Sequence, residues 1–336
     1  RTPPRESGAF GVRDVRFAFG SCANIADPAA DAPGNSSAGD YGIFEAIADQ
    51  APHVMLWGGD NVYFRDIDWS SRSGMVARYT HDRALPALQR LLGSTNNYAT
   101  WDDHDYGPND VDRSWVGSEW ARTTFRQFWF NPGYGMPQAP LAIGTSFRWG
   151  DVEVFLMDDR SYRAPNLRVG GDGAYWGEGQ LQWLLDGLRT STATFKLVVN
   201  GGQVLSPLPL FENFVNYPVE RDRLLATLAH DRTEGVVFLS GDRHITELTR
   251  MPRAGLYPLY DATISPLTSR AGGGSGEEPN PWRVQGTWTT VRNFATLDVT
   301  GPRNDRVLTI TVRDAKGALL WTHVIPHKQL RIPVAG

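Results

Sequence analysis

The sequence predicts an α/β fold in which two sheets pack face to face with helices outside. Three observations carry that expectation. Short apolar runs of strand length recur, each running straight into a small-residue or polar cluster. Helical patterns lie between several of them, which is the signature of an α/β layered fold. From about Trp288 the chain changes to alternating runs separated by turns, with no helical pattern, which reads as an antiparallel meander completing the second sheet.

The first group of runs is "VRFAF", "HVMLW", "NYATW", "VEVFLM", "FKLVV" and "GVVFL". Their followers are "GSCAN", "GGDNVY", "DDHD", "DDRSY", "NGGQ" and "SGDRH". "YGIFEAIADQ", "EGQLQWLLDGLR" and "ERDRLLATLAH" space apolar residues at i, i+3, i+4 and i+7, as an amphipathic helix does. The tail reads "WTTVRNFATLDVTG", "DRVLTITVRD" and "ALLWTHVIP", broken by "GPRND" and "AKG". Residues 1–14 read as a loosely ordered leader of a processed or trimmed chain, residues 15–330 as one catalytic domain, and 269–281 ("SRAGGGSGEEPNP") as a mobile loop. Pro279 and Pro281 deny that loop the helix that a glycine-rich phosphate cradle requires.

Composition narrows the function. Hydrophobic content of 41% with 12 Trp supplies a sizeable core, and a formal charge of −4 points to no nucleic-acid or membrane-surface partner. No apolar run approaches the roughly 18 residues that span a bilayer. A single cysteine, Cys22, excludes an internal disulfide framework. No G-x-G-x-x-G follows the first strand, which argues against a dinucleotide oxidoreductase.

The polar clusters supply Cys22, Asp60, Tyr63, Asp102, Asp103, His104, Asp158, Asp159, Arg160, Asn200, Gln203, Asp242 and His244. Ligands in α/β folds sit beyond the carboxyl ends of the strands, where these residues fall. Any one Asp there reads as a helix N-cap, and the lone Cys as a small buried hydrophobe. Four strand ends presenting acids, two presenting His and one the only thiol fit a metal site better, because mixed O, N and S donors suit a transition metal. A cation also turns the repulsion within "DDHD" into attraction. His53, His81, His230, His323 and His327 are scattered and read as surface or helix-end residues.

"GDNVY", "DDHD" and "GDRH" resemble variants of the calcineurin-like metallophosphoesterase motifs. With "FAFGSCAN", "DDRSYR", "GEGQLQWL" and "NGGQV" they resemble, in order, the PhoD-like alkaline phosphatase and phosphodiesterase family. The resemblance implies a four-layer α/β/β/α sandwich. It implies that Asp60 bridges two metals, that Cys22, Tyr63 and His244 hold ferric iron, and that Asp103, Asp242 and Gln203 make an oxygen-rich site for Ca²⁺ or another divalent ion. Asp102 and Asp103 are exchangeable in these roles. Asn109 and Asp110 are either further calcium ligands or a solvated turn around Pro108, and Asp105, Asp158, Asp159 and Asn200 are further ligand or supporting candidates.

The implied chemistry is hydrolysis of a phosphate monoester by a metal-bound hydroxide. His104, oriented by Asp105 or Asp158, would protonate the leaving oxygen or stabilise charge on it. Arg160 would clamp a non-bridging oxygen, or else form an ion pair with Asp158 or Asp159. Aromatics between Trp115 and Trp183 would line a leaving-group pocket or pack in the core. The alternatives are phosphodiesterase or phospholipase D-like activity at the same site, and a non-catalytic metal-binding export protein. The expected partner is a small phosphate ester, and the resemblance implies a secreted or periplasmic location.

Overall fold

The computed structural model describes residues 12–31, 39–166, 173–272 and 276–333. Most of the 1–14 leader and the centre of the 269–281 loop therefore lie outside the described residues. The strands are β1 (Val15–Gly20), β2 (Val54–Gly58), β3 (Asn96–Thr100), β4 (Thr145–Trp149), β5 (Val152–Leu156), β6 (Phe195–Val199), β7 (Val236–Ser240), β8 (Glu247–Met251), β9 (Leu259–Thr263), β10 (Asn293–Thr300), β11 (Val307–Asp314) and β12 (Leu319–Pro326). The helices are α1 (Gly42–Asp49), α2 (Asp66–Trp69), α3 (Arg72–Arg83), α4 (Pro86–Ser94), α5 (Asp103–Tyr106), α6 (Ser118–Phe128), α7 (Glu178–Thr190) and α8 (Pro218–His230).

Two six-stranded sheets form, in the orders β12-β11-β10-β1-β2-β3 and β4-β5-β6-β7-β9-β8. β1, β2 and β3 run parallel, as do β5, β6, β7 and β9. The meander is antiparallel as expected, but β10 pairs with β1, so it completes the first sheet. The register Phe17↔Leu297 and Phe19↔Ala295 explains this, because it puts Phe17, Leu297 and Ala295 in the shared inner core.

Period-two alternation assigns the faces of the first sheet. Phe17, Val54 and Leu56 enter the core between the sheets, where they join Val154, Leu156 and Leu197. Ala18, Met55, Trp57 and Ala99 face the other way, under Phe44 of α1, Tyr79 of α3, Leu91 of α4 and Phe125 of α6. Leu181, Leu184, Leu224 and Leu228 of α7 and α8 cover the second sheet, so the layers are helices, sheet, sheet, helices. Among the described residues no helix is long and apolar enough to cross a membrane.

Several elements escaped the periodicity reading for physical reasons. α3 buries Met75 and Tyr79 together with Arg78 and Asp82, so half of its inner face is charged and its apolar stripe is broken. β8 ("ELTRM") and β9 ("LYDAT") bury Glu247, Thr249 and Asp261, whose polar partners lie elsewhere in the fold.

One buried cation ties the two sheets together at the edge opposite the parallel strands' carboxyl ends. Arg306, fully buried, pairs with both oxygens of Asp151 at 3.0 and 2.9 Å and with Asp14 at 3.0 Å. Asp151 opens the turn into β5, and Arg306 precedes β11. Removing one partner of a buried pair strands the other charge and costs about 3–5 kcal/mol. Arg306→Ala should lower unfolding free energy by about that amount in urea titration; a loss under about 1 kcal/mol would place the clamp elsewhere.

Candidate metal centre

The parallel strands of both sheets discharge their carboxyl ends onto one edge. Cys22 follows β1, Asp60 follows β2, Asp102 follows β3, Asp158 and Asp159 follow β5, Asn200 follows β6, and Asp242 and His244 follow β7. The backbone is bent to do this. Cys22 (φ 60°), Asp60 (52°), Asp242 (65°) and His244 (53°) all sit in the left-handed region. Each such non-glycine residue costs of order 1 kcal/mol, and strain of this kind persists where the surroundings over-determine it. Gly59 (φ 93°) permits the first bend, since a Cβ there would lie 2.7 Å from that of Asp102.

These bends bring four side chains to one point. Tyr63 Oη stands 3.1 Å from Asp60 Oδ2 and 3.0 Å from His244 Nε2, and Cys22 Sγ stands 3.6 Å from the same Asp60 oxygen. Donors that share one ion at about 2.0–2.3 Å stand about 3–4 Å apart, so these spacings already suit a bound cation. Asp103 abuts this group: Asp60, Asp103 and His104 form a second set of convergent donors, and Asp102, Asp103 and Glu212 a third. Asp103 is held by backbone donors, from His104 N at 2.9 Å and Asp110 N at 2.7 Å.

Burial dominates the electrostatics. It pushes the Cys22 thiol up to about 12, Asp242 up to about 7, and Asp60 and Tyr63 well above their usual ranges, with neighbouring acids adding to the rise in Asp60. Burial also lowers His244 to about 4, with His104 adding repulsion. Burial would raise Asp103 too, but His104 and Arg160 outweigh it and hold that carboxylate below its ordinary value. Asp103 apart, burial at this edge therefore disfavours the ionised forms of these groups, a penalty that a cation among them would offset. Asp102 Oδ2 is buried without a hydrogen-bond partner, as expected where a cation belongs, whereas the likewise unbonded Asp159 Oδ1 faces the Arg160 guanidinium at 3.7 Å. The donor set fits metal ions.

Several predicted site residues stand elsewhere in the network. Arg160 is fully buried. Its guanidinium takes Asp102 Oδ1 (2.7 Å from Nε) and Glu212 Oε2 (2.7 Å from an Nη), so it has no free fork for a phosphate. Its ion-pair partners are Asp102 and Glu212, with Asp159 more distant at 3.7 Å; Asp158 accepts only from its backbone N–H. Arg163 joins from the other side, 2.6 Å from Glu212 Oε1. Gln203 is not turned to the cluster: it donates to Glu247 and Thr263 and accepts from Arg243 at 2.9 Å. Asn200 holds Asp159 Oδ2 at 3.1 Å.

Neither expected orienter reaches His104. Asp105 caps its own turn, accepting from Asp102 N and Asn61 N at 3.1 Å each. Asp158 accepts from Trp101 Nε1, Ile143 N, Arg160 N and Ser161 N. The His104 ring instead lies on Tyr63, centroids 4.2 Å apart, and stays half-exposed. Asn109 and Asp110 are exposed beside it. Tyr175 and Trp176, among the aromatics proposed for a pocket, are fully buried in the core.

Glu212 was not legible as a site residue. It lies in the loop before α8 rather than just past a strand, and "LFENF" carries no spacing signal. Ser265, which donates to Cys22 Sγ at 3.1 Å, follows β9, a strand whose composition hid it.

A two-sheet sandwich with helices on both faces and a mixed O, N and S donor cluster at its shared edge defines the metallophosphoesterase class. The chain belongs to the PhoD-like phosphatase family, whose pattern it matches over residues 17–278. It is 22% identical to alkaline phosphatase D of Bacillus subtilis (strain 168), an alignment that takes in 80% of this chain and 52% of that protein. The chain thus spans about half the length of this curated relative. It superposes on the structure of PhoD with a TM-score of 0.75 at 15% identity, covering 96% of this chain and 71% of that one. Purple acid phosphatase PPD1 from yellow lupin (Lupinus luteus) seeds shares the fold at a TM-score of 0.67 and 11% identity, covering 97% and 57%.

The role of Arg160 has a direct check. Lysine keeps the charge but cannot reach Asp102 and Glu212 together. Arg160→Lys should cost at least about 2 kcal/mol of stability in urea titration, because it leaves a buried carboxylate unpaired. A lysine variant as stable as the parent would contradict the bridging role.

Proposed function

We propose that this chain is a metal-dependent phosphoesterase acting at the shared edge of its two sheets. The observation that carries the reading is the meeting of Cys22, Asp60, Tyr63 and His244, all within hydrogen-bonding distances, on backbone held in the left-handed region at three of the four. Thiolate, phenolate and imidazole donors suit a transition metal, which supports ferric iron there. Asp60, Asp103 and Asp242 offer hard oxygen donors that suit Ca²⁺ beside it. Ions so held would polarise the phosphoryl group and activate water.

The chain's own residues do the rest. Asp60 faces both donor sets and is positioned to join them. Asp103 is fixed by two backbone donors, so the second set is preorganised. His104 stands at the open rim on the Tyr63 ring, where its imidazole can deliver a proton to the departing oxygen. The Tyr63 ring, packed on that imidazole, takes the orienting place expected of Asp105 or Asp158. Family membership supports action outside the cytoplasm, secreted or periplasmic.

A second reading, hydrolysis of phosphodiesters, draws on the arginines. A monoester dianion calls for more positive charge than a diester, yet Arg160 is engaged by Asp102 and Glu212, and Arg163 by Glu212. We therefore expect bis(p-nitrophenyl) phosphate to be turned over at least as efficiently as p-nitrophenyl phosphate. A kcat/KM ratio favouring the monoester by about tenfold or more would restore the monoesterase reading.

The phosphoesterase reading itself is tested at His104. His104→Ala should lower kcat by about 10²-fold or more, while bound metal measured by elemental analysis stays at the parent level. If the substitution empties the centre, His104 is a ligand; if turnover is unchanged, proton delivery lies elsewhere.

A further inference from the structure

A cleft of about 510 Å³ opens beside the metal centre, and His104 is the residue the two have in common. We propose that this cleft is the leaving-group subsite and that it selects an uncharged aryl or alkyl alcohol over an anionic one. The inference rests on the phosphoesterase reading. A phosphoryl group at the donor cluster, with its departing oxygen next to His104, projects its ester substituent away from Cys22 and into this space.

The chemistry of the wall sets the selectivity. Phe64, Ile67 and Trp69 supply an apolar surface, and Ile67 is 68% exposed with no packing role that would account for it. With His104 committed to the departing oxygen, the remaining cation among the described wall residues is Arg65, and it is already spent. It pairs with Asp31 at 2.8 Å and donates to Asn24 Oδ1 at 3.3 Å, Ile25 O at 2.7 Å and the Tyr63 carbonyl. Asp66 is exposed on the same wall and makes no ion pair among the described residues. The free charge facing a ligand is therefore negative. A carboxylate or second phosphate on the leaving group would meet repulsion and find no partner.

The wall is also rigid enough to discriminate. Trp69 ends α2 and packs on the outer core. Asp68 fixes that short helix by accepting from Arg65 N and Arg78 Nε, both at 2.8 Å. α3 comes so close that a Cβ at Gly74 would lie 2.5 Å from the Asp68 carbonyl oxygen. A ring entering the cleft would thus meet a preformed aromatic face and would not need to order one.

Non-hydrolysable phosphonates separate this claim from the reading beneath it. Calorimetric titration of the metal-loaded protein with methylphosphonate tests the phosphoryl site alone. The affinity ratio of phenylphosphonate to methylphosphonate tests the cleft. We expect phenylphosphonate to bind about tenfold tighter, Trp69→Ala to reduce that ratio to about two, and a 4-carboxyphenyl phosphonate to lose most of the gain. Asp66→Asn should restore about threefold of the carboxylate analogue's loss. A phenyl-to-methyl ratio near one, or a ratio that survives Trp69→Ala, overturns the subsite. Failure of every phosphonate to bind overturns the phosphoesterase reading as well.

Discussion

Negative charge buried at the shared edge of two sheets is the constraint on which the rest depends. The parallel strands deliver buried Asp60, Asp102 and Asp159 and the half-buried Asp242 to one place, and Glu212 arrives from a loop. Left alone, such a set would stay protonated or push the strands apart. Two devices resolve it. On the inner side Arg160 bridges Asp102 and Glu212, and Arg163 backs Glu212 from its other side, so that part of the edge is ion-paired. On the outer side, among the described residues, no arginine pairs with the group formed by Cys22, Asp60, Tyr63 and His244, and that side is where a cation fits.

This division explains why the backbone tolerates strain where it does. A left-handed Cys22, Asp60, Asp242 and His244 would be unfavourable in an ordinary loop. Here Cys22 N is tied to Gly59 O and Ala23 N to Asp60 O within the first sheet, Gly241 N is tied to Gly201 O within the second, and Leu267 N and Thr268 N reach Ser21 O and Cys22 O from one sheet to the other. The scaffold holds donors close together before any ion arrives, which is the preorganisation a reacting phosphoryl group requires. Gly201 belongs to the same design: a Cβ there would lie 2.6 Å from both the Asp102 carboxyl carbon and an Asp159 oxygen.

The layered fold and the strand ends were legible because apolar runs and the polar clusters after them are local patterns. The candidate metal donors were legible for the same reason: Cys22, Asp60, Tyr63, Asp103, Asp242 and His244 each fall just past an apolar run. What sequence could not show was partnership. Arg160 looks like a phosphate clamp until Glu212, distant in sequence, is found on its guanidinium. Gln203 looks like a ligand until Arg243, Glu247 and Thr263 are seen to occupy its amide. Asp105 and Asp158 stand beside His104 and Arg160 in sequence, yet their oxygens satisfy backbone and indole donors. The meander was recognised, but its choice of sheet turned on the pairing of β10 with β1, a contact spanning most of the chain.

The claim that cations complete this edge is most directly tested by stripping it. Protein purified without chelator should carry tightly held metal. Complete removal should lower the melting temperature and be accompanied by proton uptake, as Cys22, Asp60 and Tyr63 regain their protons. Reloading should reverse both changes. Protein that is metal-free as purified, melts at the same temperature with and without added metal, and exchanges no protons would contradict the account.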